Sequence, residues 1–186
     1  MTPRRHHRPT RLDARPTGRL ARLVALSMTF LLALWAGCTA PDATDSAARG
    51  SAASWVREVR EAHVLADAAE AQGDLDAARA TLTQASELSP PAEVAPTHAR
   101  AVRQDLYFRL AALAARQGEA RVARDTATAG LALGRGDDVL TANLLIVRGE
   151  AHEALGDARA ASTDYLAALR INEALLDAVL TAEETP

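Results

Sequence analysis

Gly73-Asp74-Leu75-Asp76-Ala77-Ala78, Gly118-Glu119-Ala120-Arg121-Val122-Ala123 and Gly156-Asp157-Ala158-Arg159-Ala160-Ala161 are three versions of one turn. In each, an acidic residue follows the glycine and an alanine stands five residues after it. Nine residues after the glycine come Leu82, Ala127 and Tyr165, and twelve after it Ala85, Gly130 and Ala168. Glycine admits the left-handed backbone that ends a helix, and an acidic residue just past it suits the start of the next. Each stretch therefore reads as the bend between two helices.

The flanking sequence agrees. Ser54 is expected to cap a helix from Trp55 to Gln72, and Leu75 to Ser89 forms a second, closed by Pro90-Pro91. After a loop through Pro96, with Thr97 as its cap, a third helix runs to Gln117 with Val102, Leu106, Leu110 and Leu113 on one face. A fourth covers Glu119 to Leu133. Gly134 to Asp138 is a turn carrying its own cap, and a fifth helix ends at Leu155. The last starts near Ala158 and meets no breaker before Thr181. No segment alternates with period two, so the fold class is all-α. Composition fits: 44 of 186 residues are alanine and 3% are aromatic, a stock for closely approaching helices and not for a sheet core.

This grammar resembles the tetratricopeptide repeat family over about residues 59 to 175. Pro90 closes the second helix of unit one, Tyr107 stands in unit two where the family often has tryptophan, and Gly149 takes the small-residue position of unit three. The glycines are 45 and 38 residues apart, wider than the family's period of about 34. The resemblance implies a right-handed α-solenoid of about three helix hairpins over residues 54–182, with the long last helix as cap. It also implies a concave groove lined by the first helix of each unit: Arg60, His63, Asp67 and Glu70, then Asp105 and Phe108, then Asn143, Ile146, Glu150 and Glu153. A solvated polar face is the competing reading of these residues. Phe108, the one phenylalanine after residue 37, is expected there among polar neighbours as the anchor for a bound protein; packing under the Pro90–Pro96 loop is the competing reading.

The N-terminus reads differently. Before residue 38 there are seven arginines and one acid, a net +6; the remainder has 14 arginines and 23 acids, a net −9, and there is no lysine. After Arg22 an uncharged apolar run extends from Leu23 to Ala36, too short to span a bilayer as a helix. A basic stretch followed by such a run is a secretory signal pattern. Leu34-Trp35-Ala36-Gly37-Cys38 resembles a bacterial lipobox, with Trp35 where leucine is usual. That resemblance implies a signal peptide over 1–37, acylation (palmitate included) of Cys38 and insertion of the chains into a bilayer. Thr39 to Ala53 lacks any large apolar residue and reads as a flexible tether, so 38–53 links anchor to domain. Thr39 is not the aspartate that retains lipoproteins in the inner membrane, so the expected address is the outer membrane, facing the periplasm.

Chemistry is sparse. His63, Asp67 and Glu70 share a helix face, but no second ligand cluster accompanies them, so no metal and no cofactor is expected. The carboxylates Asp74, Asp76, Asp137 and Asp138 sit at helix starts, where capping explains them, and His152 is expected to pack between helices. No phosphate loop or nucleophile elbow is present, so the chain is not read as an enzyme. A net −9 with interspersed arginines disfavours nucleic acid. The expected role is an envelope adaptor or assembly factor binding other proteins. The alternative is a structural or regulatory subunit docked through the last helix, without a peptide groove.

Overall fold

The computed structural model describes residues 43–183, with side chains from residue 50 to 182. The described residues form six helices and no strand: α1 (Ala43–Ala71), α2 (Leu75–Glu87), α3 (Pro96–Arg116), α4 (Ala120–Ala132), α5 (Val139–Ala154) and α6 (Ala158–Glu183). They make an all-α, solenoid-like set of three hairpins, α1–α2, α3–α4 and α5–α6.

The three glycine turns are alike in detail. Gly73, Gly118 and Gly156 have φ of 78°, 78° and 80°. Each glycine N–H donates to the carbonyl three residues back: Glu70 at 3.0 Å, Ala115 at 3.0 Å and Glu153 at 2.9 Å. The next N–H donates five residues back, to Ala69, Ala114 and His152, at 2.9, 2.9 and 2.8 Å. This double bond pattern satisfies carbonyls that a helix end would leave bare, and needs a left-handed residue at its centre. Asp74 and Asp157 then cap the following helices, accepting from the N–H of Ala77 (2.9 Å) and Ala160 (3.0 Å). Glu119 makes no such cap and pairs instead with Arg79 of the preceding hairpin.

The repeat positions are the places of closest approach. Ala78, Ala123 and Ala161 are buried, as are Ala66 and Ala111 at the small position of the first two units. At Gly149 a β-carbon would stand 2.6 Å from Cε1 of Tyr165, so glycine there makes room for the ring. At Gly130 it would meet Leu144 Cδ2 at 2.8 Å and Tyr107 Cβ at 2.9 Å, so glycine lets α4 press on both α5 and α3. Two large apolar clusters result. Trp55, Val59, Leu82, Leu106, Leu110 and Leu113 join the first hairpin to α3. Leu131, Leu144, Leu145, Val147, Ala111 and Ala168 join the second hairpin to the third. Each cluster crosses a hairpin boundary, because a single hairpin has only one face to bury.

Three expectations are corrected. Ser54 does not begin a helix: α1 starts at Ala43, and Ser54 Oγ bonds Glu58 and Arg57 on the helix surface. Five of residues 43–53 are alanine, the best helix former, and they extend a helix nucleated by the packed Trp55 segment, so this part of the expected tether is helical. Thr97 is not a cap either, since α3 begins with Pro96 at its first position, where the missing N–H costs nothing.

Candidate protein-interaction surface

The first helices α1, α3 and α5 share one face of the stack. Near its N-terminal end lies a hollow of about 410 Å³ lined by Val56, Val59 and Arg60 with His63, Ala101, Val102, Asp105 and Leu140. Its walls are mostly apolar. Val56 is 51% exposed and Leu140 is half-buried, so the lining is reachable. Arg60, His63 and Asp105, all expected in the groove, line it.

Farther along α1 the expected groove residues are engaged with the next hairpin. Arg109 of α3, 19% exposed, reaches Asp67 Oδ1 at 2.5 Å and Glu70 Oε1 at 2.7 Å, and its Nη1 lies 2.9 Å from His63 Nδ1. Arg116 also pairs with Glu70, and His63 Nε2 lies 3.3 Å from Asp105 Oδ2. Burial pulls the Arg109 pKa down, but its hydrogen bonds and charge contacts with Glu70 and Asp67 outweigh that and raise it. A guanidinium thus stands among the three side chains that could have ligated a metal, and no such cluster occurs among the described residues. The acidic face of α1 is a docking seat for α3 and not an open acidic groove. Arg109, the centre of it, went unnoticed in the sequence because its partners lie 39 to 46 residues away.

The remaining groove candidates divide. Phe108 and Ile146 are half-buried against the second apolar cluster, at the α3–α5 contact. Phe108 therefore is not a free anchor among polar neighbours; the ring serves hairpin stacking. Asn143 is half-buried and Glu150 exposed. Glu153 faces its own hairpin and accepts from the Tyr165 hydroxyl at 3.0 Å. Burial first, then the bond to Glu153 and the charges of Glu153 and Glu150, push the Tyr165 pKa up to about 12.

A separate polar hollow of about 500 Å³ includes Arg148, His152, Thr163 and Asp164. There Arg148 forks onto the buried Asp164 carboxylate, with bonds of 2.8 and 2.6 Å, so both groups are consumed by the α5–α6 contact. His152 sits between the same two helices, 3.9 Å from Asp157. Another residue that the sequence reading passed over is Gln104, fully buried, whose Nε2 donates to the Gly134 carbonyl at 2.7 Å and ties α3 to the end of α4. Its signal was a polar residue in the middle of an apolar helix face.

The signal peptide expected over 1–37 and the acylated Cys38 lie outside the described residues. Among the described residues no helix is long and apolar enough to cross a membrane. Comparison with curated proteins and with solved structures gives no significant match. The tetratricopeptide repeat profile matches residues 62–91 and 142–175. These windows fall on the first and third hairpins; the second, unmatched, has the same turn geometry as the other two. The chain thus carries stretches similar to the tetratricopeptide repeat at two of its three hairpins, and such repeats suggest a role in binding other proteins.

Proposed function

We propose that this chain is an adaptor or assembly factor of a bacterial envelope, held to a membrane by acylation of Cys38 and binding a segment of a partner protein along the first-helix face. The observation that carries the binding role is the apolar hollow between α1, α3 and the start of α5. Val56, Val102 and Leu140 offer contact to an apolar side chain, while Arg60 and Asp105 at its edge supply one charge of each sign. Farther along, the α1–α3 ion pairs close the face, so the bound segment is short and centred on this hollow.

Anchoring rests on the residues Leu34 to Cys38 and on the basic and apolar stretches before them. Two or three acyl chains, at about 0.8 kcal/mol per buried methylene, hold a protein stably. Thr39 after the cysteine supports the outer membrane, facing the periplasm.

The test is site-specific photo-crosslinking in intact cells with the photoreactive residue at Val56. A discrete adduct is expected, and Leu140→Asp should abolish it. Absence of any adduct, or one indifferent to Leu140→Asp, would remove the hollow as a binding site. Separately, Cys38→Ser should move the protein out of the detergent phase; unchanged partitioning would refute the anchor alone. One observation also favours docking through the last helix, whose outer face is apolar and exposed, and it leads to the next inference.

A further inference from the structure

Both α5 and α6 leave the same turn, but α6 has 26 residues and α5 has 16. At 1.5 Å per residue, roughly 15 Å of α6 runs past its partner helix. Along it Leu166, Leu169, Leu176 and Leu180 are each more than half exposed. With Glu173 they recur at intervals of three, four, three and four residues, the spacing of a seam that packs along another helix. Labelling Leu166, Glu173 and Leu180 as a, and Leu169 and Leu176 as d, puts Arg170 and Asp177 at successive e positions. Both are exposed, and neither side chain has an ion-pair partner among the described residues.

We propose that this seam is covered by a second copy of the chain, packed antiparallel about a two-fold axis between residues 174 and 175. In an antiparallel helix pair each a residue meets a d residue and each e residue meets an e. Leu169 then packs on the partner subunit's Leu180, and Glu173 beside the partner subunit's Leu176. Arg170 faces the partner subunit's Asp177, and symmetry makes every contact twice. The two Arg170–Asp177 pairs thus match in charge across the seam, while the two Glu173 side chains, about 4.5 Å apart along the axis, have to turn their carboxylates outward to water. What favours antiparallel over parallel packing is the charge match at the e positions: in a parallel arrangement e residues do not meet, and Arg170 and Asp177 are left unmatched. A hollow of about 320 Å³ beside Tyr165, Leu166 and Leu169 lies where the end of the other helix arrives. A lipid surface fits less well, since Glu173 and Asp177 outnumber the single Arg170 on this face and anionic headgroups would repel them. The inference is independent of the Cys38 anchor and of the hollow on the first-helix face.

The test uses the full chain with Cys38→Ala in detergent, so that introduced thiols are the only ones. Leu169→Cys with Leu180→Cys should give a covalent dimer on oxidation. Eleven residues apart on one helix, about 16 Å, the two thiols cannot bridge within a chain. Leu166→Cys alone should not crosslink, because its two copies would stand roughly 25 Å apart along the axis. By sedimentation equilibrium, Asp177→Arg should raise the dimer dissociation constant about tenfold, and adding Arg170→Asp should restore it. Position 177 is exposed, so helicity by circular dichroism should not change. A single-chain mass at every concentration, crosslinking through Leu166→Cys alone, or a dimer indifferent to Asp177→Arg would each overturn the proposal. So would a monomer that binds phosphatidylglycerol vesicles and loses that binding with Leu176→Asp.

Discussion

Arg109 shows how a single side chain joins two hairpins. Its guanidinium is mostly shielded from solvent and meets three groups of α1 at once. Replacing it with methionine keeps the stem but leaves His63, Asp67 and Glu70 without their shared cation. Asp67 is 67% exposed and recovers water readily, so the cost comes mainly from Glu70 and His63. A loss of about 1–3 kcal/mol is expected in urea unfolding, with Arg109→Lys intermediate because it keeps the charge but not the fork. The i, i+4, i+7 spacing of the three α1 residues was legible in the sequence. What stands opposite them was not, because that depends on the register of a helix some forty residues on. Tyr165 gives a residue-scale test by titration. Its folded pKa is raised to about 12 while an unfolded tyrosine titrates near 10. The folded state keeps a proton the unfolded chain loses, so this contribution to stability is complete below pH ~10 and is lost as pH rises through about 12. Absorbance titration of tyrosinate should show one late transition, and Glu153→Gln should bring it down without returning it to the ordinary value, because burial remains.

At the scale of elements, two glycines separate two kinds of constraint. Gly156 has φ of 80° with open space around its α-carbon, so a side chain there meets backbone strain and no clash. Gly149 lies within α5, and a side chain there meets the Tyr165 ring. Gly156→Val should cost more than the roughly 1–2 kcal/mol of an ordinary left-handed residue, because branching adds to the strain. Gly149→Ala should cost about 1–3 kcal/mol by overpacking. The two are told apart by adding Tyr165→Leu, which should relieve Gly149→Ala and leave Gly156→Val unchanged in thermal unfolding. The turns were readable from sequence because their requirement is local: one positive φ, one acid, one small residue five positions on. The start of α1 was not. The segment 43–53 has no apolar face to read, and its helicity comes from alanine propensity continued from the packed helix behind it. Nor was the fate of Phe108 readable, since a half-buried ring at a hairpin junction and an exposed anchor have the same sequence neighbourhood.

For the molecule as a whole, the apolar clusters decide how stability is shared. The first runs from α1 through α2 to α3, and the second from α3 through α4 and α5 to α6. Helix α3 belongs to both, and neither cluster contains residues of both outer hairpins. Such a stack behaves as neighbours coupled in a row, where a defect spreads to the adjacent unit before the distant one. Leu82 and Leu144, both fully buried, sit in the first and second cluster respectively. Truncating either to alanine should cost about 2–5 kcal/mol. The distribution of the loss should differ. Leu144 fills the space that Gly130 leaves open, so Leu144→Ala should lower hydrogen-exchange protection in α4 and α6 as well as α5, while the amides of α1 and α2 keep theirs. Leu82→Ala should do the reverse, exposing α1 and α2 and leaving α5 and α6 protected. Uniform loss of protection from either substitution would mean that the hairpins unfold as one cooperative block. In that case the bridge through α3 is stronger than the separation into two clusters implies.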